Sequence, residues 1–567
     1  MSDASFDYVI VGGGSAGCAV ANRLSESGEY RVLLLEAGPD SRRNPFVSTP
    51  LGFLQLMFSR RCNWQFNSEP QRHMEGRSLF QPRGKMLGGS SCMNAQVYIR
   101  GHARDYDDWA ALGCEGWSYQ EVLPYFRKSE HYQPELAAAD RAFHGQGGPL
   151  NIADRHYTSP LSDCFVTAGQ QAGHAINHDF NGAAQQGIGP YRTFQKDGQR
   201  CSNARGYLEP IRKRANLSIR TAAQVTRVLL DGKRAVGVEY HSAGRLQRVA
   251  ATREVLLCGG AFNSPQLLML SGIGPRAELE RQGIEVLHEL AGVGQNLQDH
   301  LDVFVRVAAR TRVGISLHPS YWLKGLAALF QYLIGRRGVL SSNGGEAGGF
   351  ISSQGKQPVP DLQLHFAPLL YGDHGRDLKM AMSRYGYGVM IYNLRPLSRG
   401  EVGLRSKDPL APPRIDPNYL ADPDDVMRIV HGIRKVRTIL AQDAFKPHHA
   451  FELEPGDALQ SDEQLAAWVR QAGESAYHPV GTCKMGVDAM AVVDPRLRVH
   501  GLQGLRVIDA SIMPTLVGGN TNQPATMIGE KGAAMILEDA VPGRLSPPQG
   551  SRLDQAIDVA AAFAQAH

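Results

Sequence analysis

Asp7-Tyr8-Val9-Ile10-Val11-Gly12-Gly13-Gly14-Ser15-Ala16-Gly17 sets an apolar run against a glycine-rich turn. A short apolar run bounded by glycine reads as a buried strand. After the turn the period changes: Ala16, Val20 and Leu24 share one face of a helix running to Ser27. Arg31 to Leu35 reads as a second strand, ended by Glu36-Ala37-Gly38-Pro39. Strand, helix and strand in that order make a βαβ unit with a parallel crossover. The spacing of Gly12, Gly14 and Gly17 is what a dinucleotide demands. The first glycine lets the chain turn tightly, the second clears room for a pyrophosphate, and the third lets helix pack on strand. Unpaired N–H groups at the helix start then face the anion. Glu36 lies about 20 residues beyond Gly17, where a carboxylate accepts from the ribose hydroxyls and repels a 2′-phosphate.

Gly13-Gly14-Ser15-Ala16-Gly17 also fits the G-x-S-x-G of a nucleophile elbow. That turn normally follows several strands, whereas this strand is the first of the chain, and Glu36 has no task in a hydrolase. Ser15 is therefore expected to touch phosphate or cap the helix.

At 567 residues, two or more domains are expected. The 43 % apolar and 20 % charged residues suit a folded globular protein, and a net charge of +5, spread without a basic stripe, argues against nucleic acid. The eight cysteines form no CxxC pair and no zinc spacing, so no metal is expected and the compartment reads as reducing and cytoplasmic. The first strand leaves no room for a secretory leader, and no apolar run reaches membrane-spanning length.

Further strands are expected at Leu217–Ile219, Val225–Leu230, Ala235–Tyr240, Val255–Cys258 and Leu505–Ile508, with helices from Pro265 and over Pro524–Leu537. Residues 300 to 475 mix strands and helices unlike the rest and read as an inserted domain. The expected fold is a Rossmann-type α/β nucleotide-binding domain (1–160, 210–300 and 480–540) interleaved with an α+β, sheet-based substrate domain (161–209 and 301–479). Residues 541–567 read as a tail rich in Pro, Ser and Ala.

Three more segments carry a resemblance. Gly84-Lys85-Met86-Leu87-Gly88-Gly89-Ser90-Ser91-Cys92-Met93-Asn94 and Gly260-Ala261-Phe262-Asn263-Ser264-Pro265-Gln266 through Gly274 resemble the two signatures of the glucose-methanol-choline (GMC) oxidoreductase family. Tyr477-His478-Pro479-Val480-Gly481-Thr482-Cys483 with Gly519-Asn520-Thr521-Asn522-Gln523-Pro524 resembles its C-terminal active-site pair. Asn63-Trp64, Tyr98-Ile99-Arg100-Gly101-His102 and Ile415-Asp416-Pro417-Asn418-Tyr419 are similar to the alkanol and polyethylene glycol dehydrogenase branch, with choline dehydrogenases next.

The resemblance implies FAD, with Gly12, Gly14, Ser15, Gly17, Glu36, Gly88, Ser91, Asn94, Val97, Val225, Asp509, Ala510, Asn520 and Pro524 as its binding positions. Met93 occupies the place where some relatives carry a histidine that links FAD covalently, so non-covalent FAD is expected. His478 resembles the family's base, and imidazole titrates near working pH. Asn522 is matched to the second catalytic position, where an amide would donate to the substrate oxygen. Trp64, Glu346 and Tyr477 are matched to the substrate pocket, with a structural salt-bridge role as the alternative for Glu346. The implied activity is oxidation of primary alcohols, aliphatic or aromatic, to aldehydes, with electrons passed to a quinone or other carrier. An oxygen-using oxidase, a choline-type dehydrogenase and an FAD-containing lyase are the alternatives.

Tyr321 to Ile334, followed by Gly335-Arg336-Arg337, is helical in period, with Trp322, Leu326, Leu329, Phe330 and Leu333 on one broad face. It reads as a core helix or an entrance lid; alternatively it lies in a membrane interface, which would make the protein peripheral at the inner membrane.

Overall fold

The computed structural model describes residues 5–355 and 357–540; the expected tail at 541–567 lies outside them. A seven-stranded sheet forms the first domain. Strand Ser5–Val11 pairs in parallel with Val32–Leu35 on one side and with the end of Arg245–Leu257 on the other. Leu217–Arg220 and Leu505–Val507 extend the parallel set outward. The first half of Arg245–Leu257 instead runs antiparallel to Arg234–Ser242, which pairs with Ala223–Asp231. The short apolar run at Val255 announced only the end of this thirteen-residue strand; its first four residues are all exposed. Helix Ser15–Leu24 follows the glycine turn and packs against the last helix, Asn522–Ala540. The fit is close because Gly529 has no side chain: a Cβ there would stand 2.6 Å from the Ala16 carbonyl oxygen.

The second domain is a seven-stranded sheet with antiparallel pairing throughout. Leu301–Ala309, Gly386–Asn393 and Leu362–Ala367 form its centre. Successive side chains on a strand point to opposite faces. Leu364, Phe366, Val389 and Ile391 therefore join one core with helices Pro160–Gln171, Pro423–Leu440 and Asp462–Ala472. Asp302, His365, Met390 and Tyr392 face the other way, onto a cavity shared with the first domain.

Helix Trp322–Gly335 is present as its period predicts, but it is not a core helix. Only Ala328 and Tyr332 are buried, while Trp322 is 62 % and Ile334 86 % exposed. Among the described residues no helix is long and apolar enough to cross a membrane.

Candidate active site

The cavity runs from the glycine turn of the first domain to the polar face of the second sheet. At the turn, Gly12 has φ +103°, and a Cβ there would sit 2.5 Å from the Cys258 carbonyl oxygen. A Cβ on Gly17 would meet the Gly12 oxygen at 2.0 Å, so this glycine permits the helix-to-turn contact, as its place in the motif predicts. Gly14 lines the cavity, and its Cα lies 2.8 Å from where a Cβ on Gly89 would stand. The two glycine segments are thus laid backbone to backbone. Glu36 also lines the cavity, accepting from Gly13 N at 2.9 Å and from Gly38 N at 2.8 Å. Burial raises its pKa, and the two N–H groups oppose that shift. Each carboxylate oxygen keeps lone-pair capacity for a ribose hydroxyl.

Asn94, Val97, Val225, Asp509 and Ala510 lie on the same wall. Asp509 accepts from Gly260 N at 2.9 Å and Ser264 Oγ at 2.6 Å, tying the last parallel strand to the start of helix Gly260–Leu270. A turn of backbone N–H groups, an acid for the ribose and a second glycine loop against the first fit a dinucleotide cofactor along this wall.

Some expected contacts lie elsewhere. Gly17, Gly88, Ser91 and Pro524 are not on the wall. Ser91 bonds the Gly88 oxygen at 2.6 Å and accepts from Asn203 N at 2.9 Å, holding the loop from behind. Ser15 lines the cavity but does not cap its helix; its hydroxyl donates to Asn522 Oδ1 at 2.7 Å. Glu346 is fully buried away from the cavity wall. Its carboxylate accepts from Ser342 Oγ, Ser159 N and Ser162 Oγ at 2.5, 2.6 and 2.7 Å, so it joins the start of strand Ala347–Ile351 to helix Pro160–Gln171.

At the far end stands His478, aimed by an unusual backbone. Tyr477 has φ +67°, which costs about 1–3 kcal/mol for a non-glycine residue. Ser475 Oγ accepts from its N–H at 3.0 Å and Arg83 donates to its carbonyl at 2.6 Å, and these bonds hold the turn. The His478 N–H then donates to buried Asp299 at 2.7 Å. Its Nδ1 lies 3.0 Å from His300 Nδ1, and its Nε2 lies 3.2 Å from Asn520 Nδ2. Burial drives the His478 pKa well below the usual value, so the ring is a neutral base at pH 7.

The partner of His478 is therefore Asn520, not Asn522. Asn520 precedes the last helix, whereas Asn522 is its first residue and turns its amide to Ser15. Gln363 Nε2 donates to Asn520 Oδ1 at 3.1 Å, which points the Asn520 N–H groups toward His478. Trp64 and Tyr477 line the cavity as expected, and Tyr477 Oη meets His374 Nδ1 at 2.9 Å. Asp302, His365, Tyr371, His374 and Tyr392 are wall residues that sequence reading did not find. The alternation in Leu362-Gln363-Leu364-His365-Phe366 was the available signal, since a polar residue every second place marks a two-faced strand.

Residues 6–302 and 396–529 match the N- and C-terminal profiles of GMC oxidoreductase. The chain belongs to the GMC oxidoreductase family. Among its GMC relatives, an alcohol dehydrogenase [acceptor] from Pseudomonas putida is 48 % identical over 94 % of this chain and 96 % of its own. An oxygen-dependent choline dehydrogenase from Paraburkholderia xenovorans is 44 % identical over 97 % of each. The crystal structure of pyridoxine 4-oxidase from Mesorbium loti superposes with a TM-score of 0.84 at 31 % identity, covering 94 % of this chain and 99 % of that one. The discontinuous nucleotide-binding sheet and the inserted antiparallel sheet are thus the GMC fold.

Proposed function

We propose that this chain oxidises primary alcohols to aldehydes with non-covalently bound FAD and passes the electrons to a quinone or other carrier. The observation that carries the reading is the His478–Asn520 pair on the cavity wall, Nε2 to Nδ2 at 3.2 Å. FAD, when bound, supplies a hydride acceptor. An alcohol seated between the two replaces their direct contact: its hydroxyl proton goes to His478 Nε2, and Asn520 Nδ2 donates to its oxygen as negative charge grows there. Gly12, Gly14, Glu36 and Asp509 would hold the dinucleotide end. Met93 stands on the wall with a thioether, which offers no nucleophilic nitrogen for a covalent link.

A neutral alcohol suits the wall better than a cationic one. Of the carboxylates that line it, Glu36 and Asp509 accept from backbone N–H groups, and Asp302 Oδ1 is 3.0 Å from His374 Nε2. Burial lowers the His374 pKa and Asp302 more than offsets it, so this imidazole holds its proton more firmly than a free one and stands as the charge partner of Asp302. Anaerobic titration with primary alcohols should bleach the yellow chromophore of the holoenzyme, and acid should release free FAD. No bleaching by any alcohol would exclude the redox reading, and flavin that stays with the precipitated protein would exclude non-covalent binding.

The exposed helix favours a lipid-borne acceptor. From Arg310 to Gly345 the chain has no Asp or Glu but carries Arg310, Arg312, Lys324, Arg336 and Arg337 around the apolar residues of Trp322–Gly335. Apolar area with basic flanks suits the surface of an anionic bilayer. The holoenzyme should sediment with anionic liposomes at low salt, and Trp322→Glu with Phe330→Glu should abolish this while activity with a soluble dye persists. A wild type that stays in the supernatant would remove the membrane from the proposal.

A further inference from the structure

His300 is fully buried and lines no part of the cavity, yet it touches the proposed base. Its Nε2 is 3.2 Å from the carbonyl oxygen of Leu394. A carbonyl only accepts, so His300 Nε2 carries a proton. Burial pushes the His300 pKa down to about 3; the Leu394 carbonyl and Asp105 oppose that shift, and Arg395 adds to it. The ring is then neutral with a single proton, and its Nδ1 is a bare acceptor. The atom facing that acceptor is His478 Nδ1, at 3.0 Å, which must therefore bear the hydrogen. His478 is also neutral, so its Nε2 is left with a lone pair.

The opposite side of the ring reaches the same assignment independently. Gln363 occupies Asn520 Oδ1, which leaves Asn520 Nδ2 as the donor toward His478 Nε2. Only a bare Nε2 can accept it. The two chains meet at one ring: Leu394 through His300 from behind, and Gln363 through Asn520 from the front.

We infer that His300 is a positioning residue that fixes His478 in the Nδ1–H tautomer and so presents Nε2 to the substrate as a base. The inference rests on the reading of His478 as base for its consequence on rate, but not for the tautomer itself. When Nε2 takes the alcohol proton, the ring becomes imidazolium, and the Nδ1–H bond to His300 strengthens because its donor is now charged. His300 thereby supports the charged form at the moment it appears, without leaving its own neutral state.

The test uses FAD-loaded enzyme with 15N-labelled histidine. In the wild type the His478 signals should show a proton on Nδ1 and none on Nε2. His300→Leu removes the acceptor and should mix the two tautomers, and flavin reduction by alcohol should slow about 10–100-fold, the loss seen when the partner that orients a metal-bound histidine is removed. The acid limb of its pH profile should move as well, because the support for the imidazolium is gone. His300→Asn places Oδ1 where Nδ1 stood and should recover the Nδ1–H signal and most of the rate. A wild-type proton on Nε2, an unaltered His478 spectrum in His300→Leu, or an Asn variant no better than the Leu variant would overturn the inference. Failure of the base reading would show separately, as a His478→Ala variant that reduces its flavin normally while the nitrogen signals of the wild type still report the His300 contact.

Discussion

His478→Ala should slow anaerobic flavin reduction by about 10²–10⁴-fold, the usual cost of losing a general base. The variant should keep its FAD, because the expected dinucleotide contacts, Gly12, Gly14 and Glu36, lie at the other end of the cavity. Stopped-flow absorbance of the flavin band reads both quantities on one sample. The pH dependence has a defined sign. Base catalysis needs neutral imidazole, and burial holds the His478 pKa well below 6.5. The reduction rate should stay level as pH falls from 7 through 6.5 and decline only further down. A rate that halves near pH 6.5, or an alanine variant reduced at the wild-type rate, would place the base elsewhere.

Asn520→Ala should cost about 10²–10³-fold in the same assay, close to the loss of one oxyanion donor, or roughly 3–4 kcal/mol of barrier. Asn522→Ala should cost far less, because its Oδ1 is engaged by Ser15 Oγ and the amide in contact with His478 is that of Asn520. Asn520→Asp is the sharper variant. It keeps the shape but replaces the donor facing His478 with an acceptor, so it should be at least as slow as alanine. If Asn522→Ala is the slower of the two alanine variants, the assignment drawn from the His478 contact is wrong.

The contrast between these asparagines marks the limit of what sequence can disclose. The βαβ unit was legible because each part of its evidence is local: an apolar run, three glycines at fixed offsets and an acid at the next strand end. Asn520 and Asn522 are two residues apart and chemically identical. Which one meets His478 depends on where the last helix begins, and helix ends are set by tertiary contacts more than by propensity. The choice left open for Glu346, substrate contact or structural role, could not be made from sequence for a related reason. A carboxylate after two glycines looks available, but its donors Ser159 and Ser162 come from a distant segment. His300 was out of reach altogether, since nothing near Asp299-His300-Leu301 signals that its ring will stand behind another histidine 178 residues away. The exposed helix shows the reverse case. Its period was read correctly, but a period cannot say which face is covered.

The junction of the first and last helices constrains how the protein is made. Ser15 bonds Asn522 and Arg23 bonds Glu530, each pair 507 residues apart in sequence. At about 5–20 residues per second, the ribosome takes on the order of half a minute to two minutes to span that gap. Throughout that time the glycine turn and its helix have no partner for the face that Asn522–Ala540 will cover. The nucleotide site therefore matures only once Asn522–Ala540 has been made, and a nascent chain stopped short of Asn522 should emerge colourless however much FAD the cell holds. Until then the unpaired helix face is open to chaperones and to other nascent chains, which makes the yield of holoenzyme sensitive to the rate of translation through the inserted sheet domain.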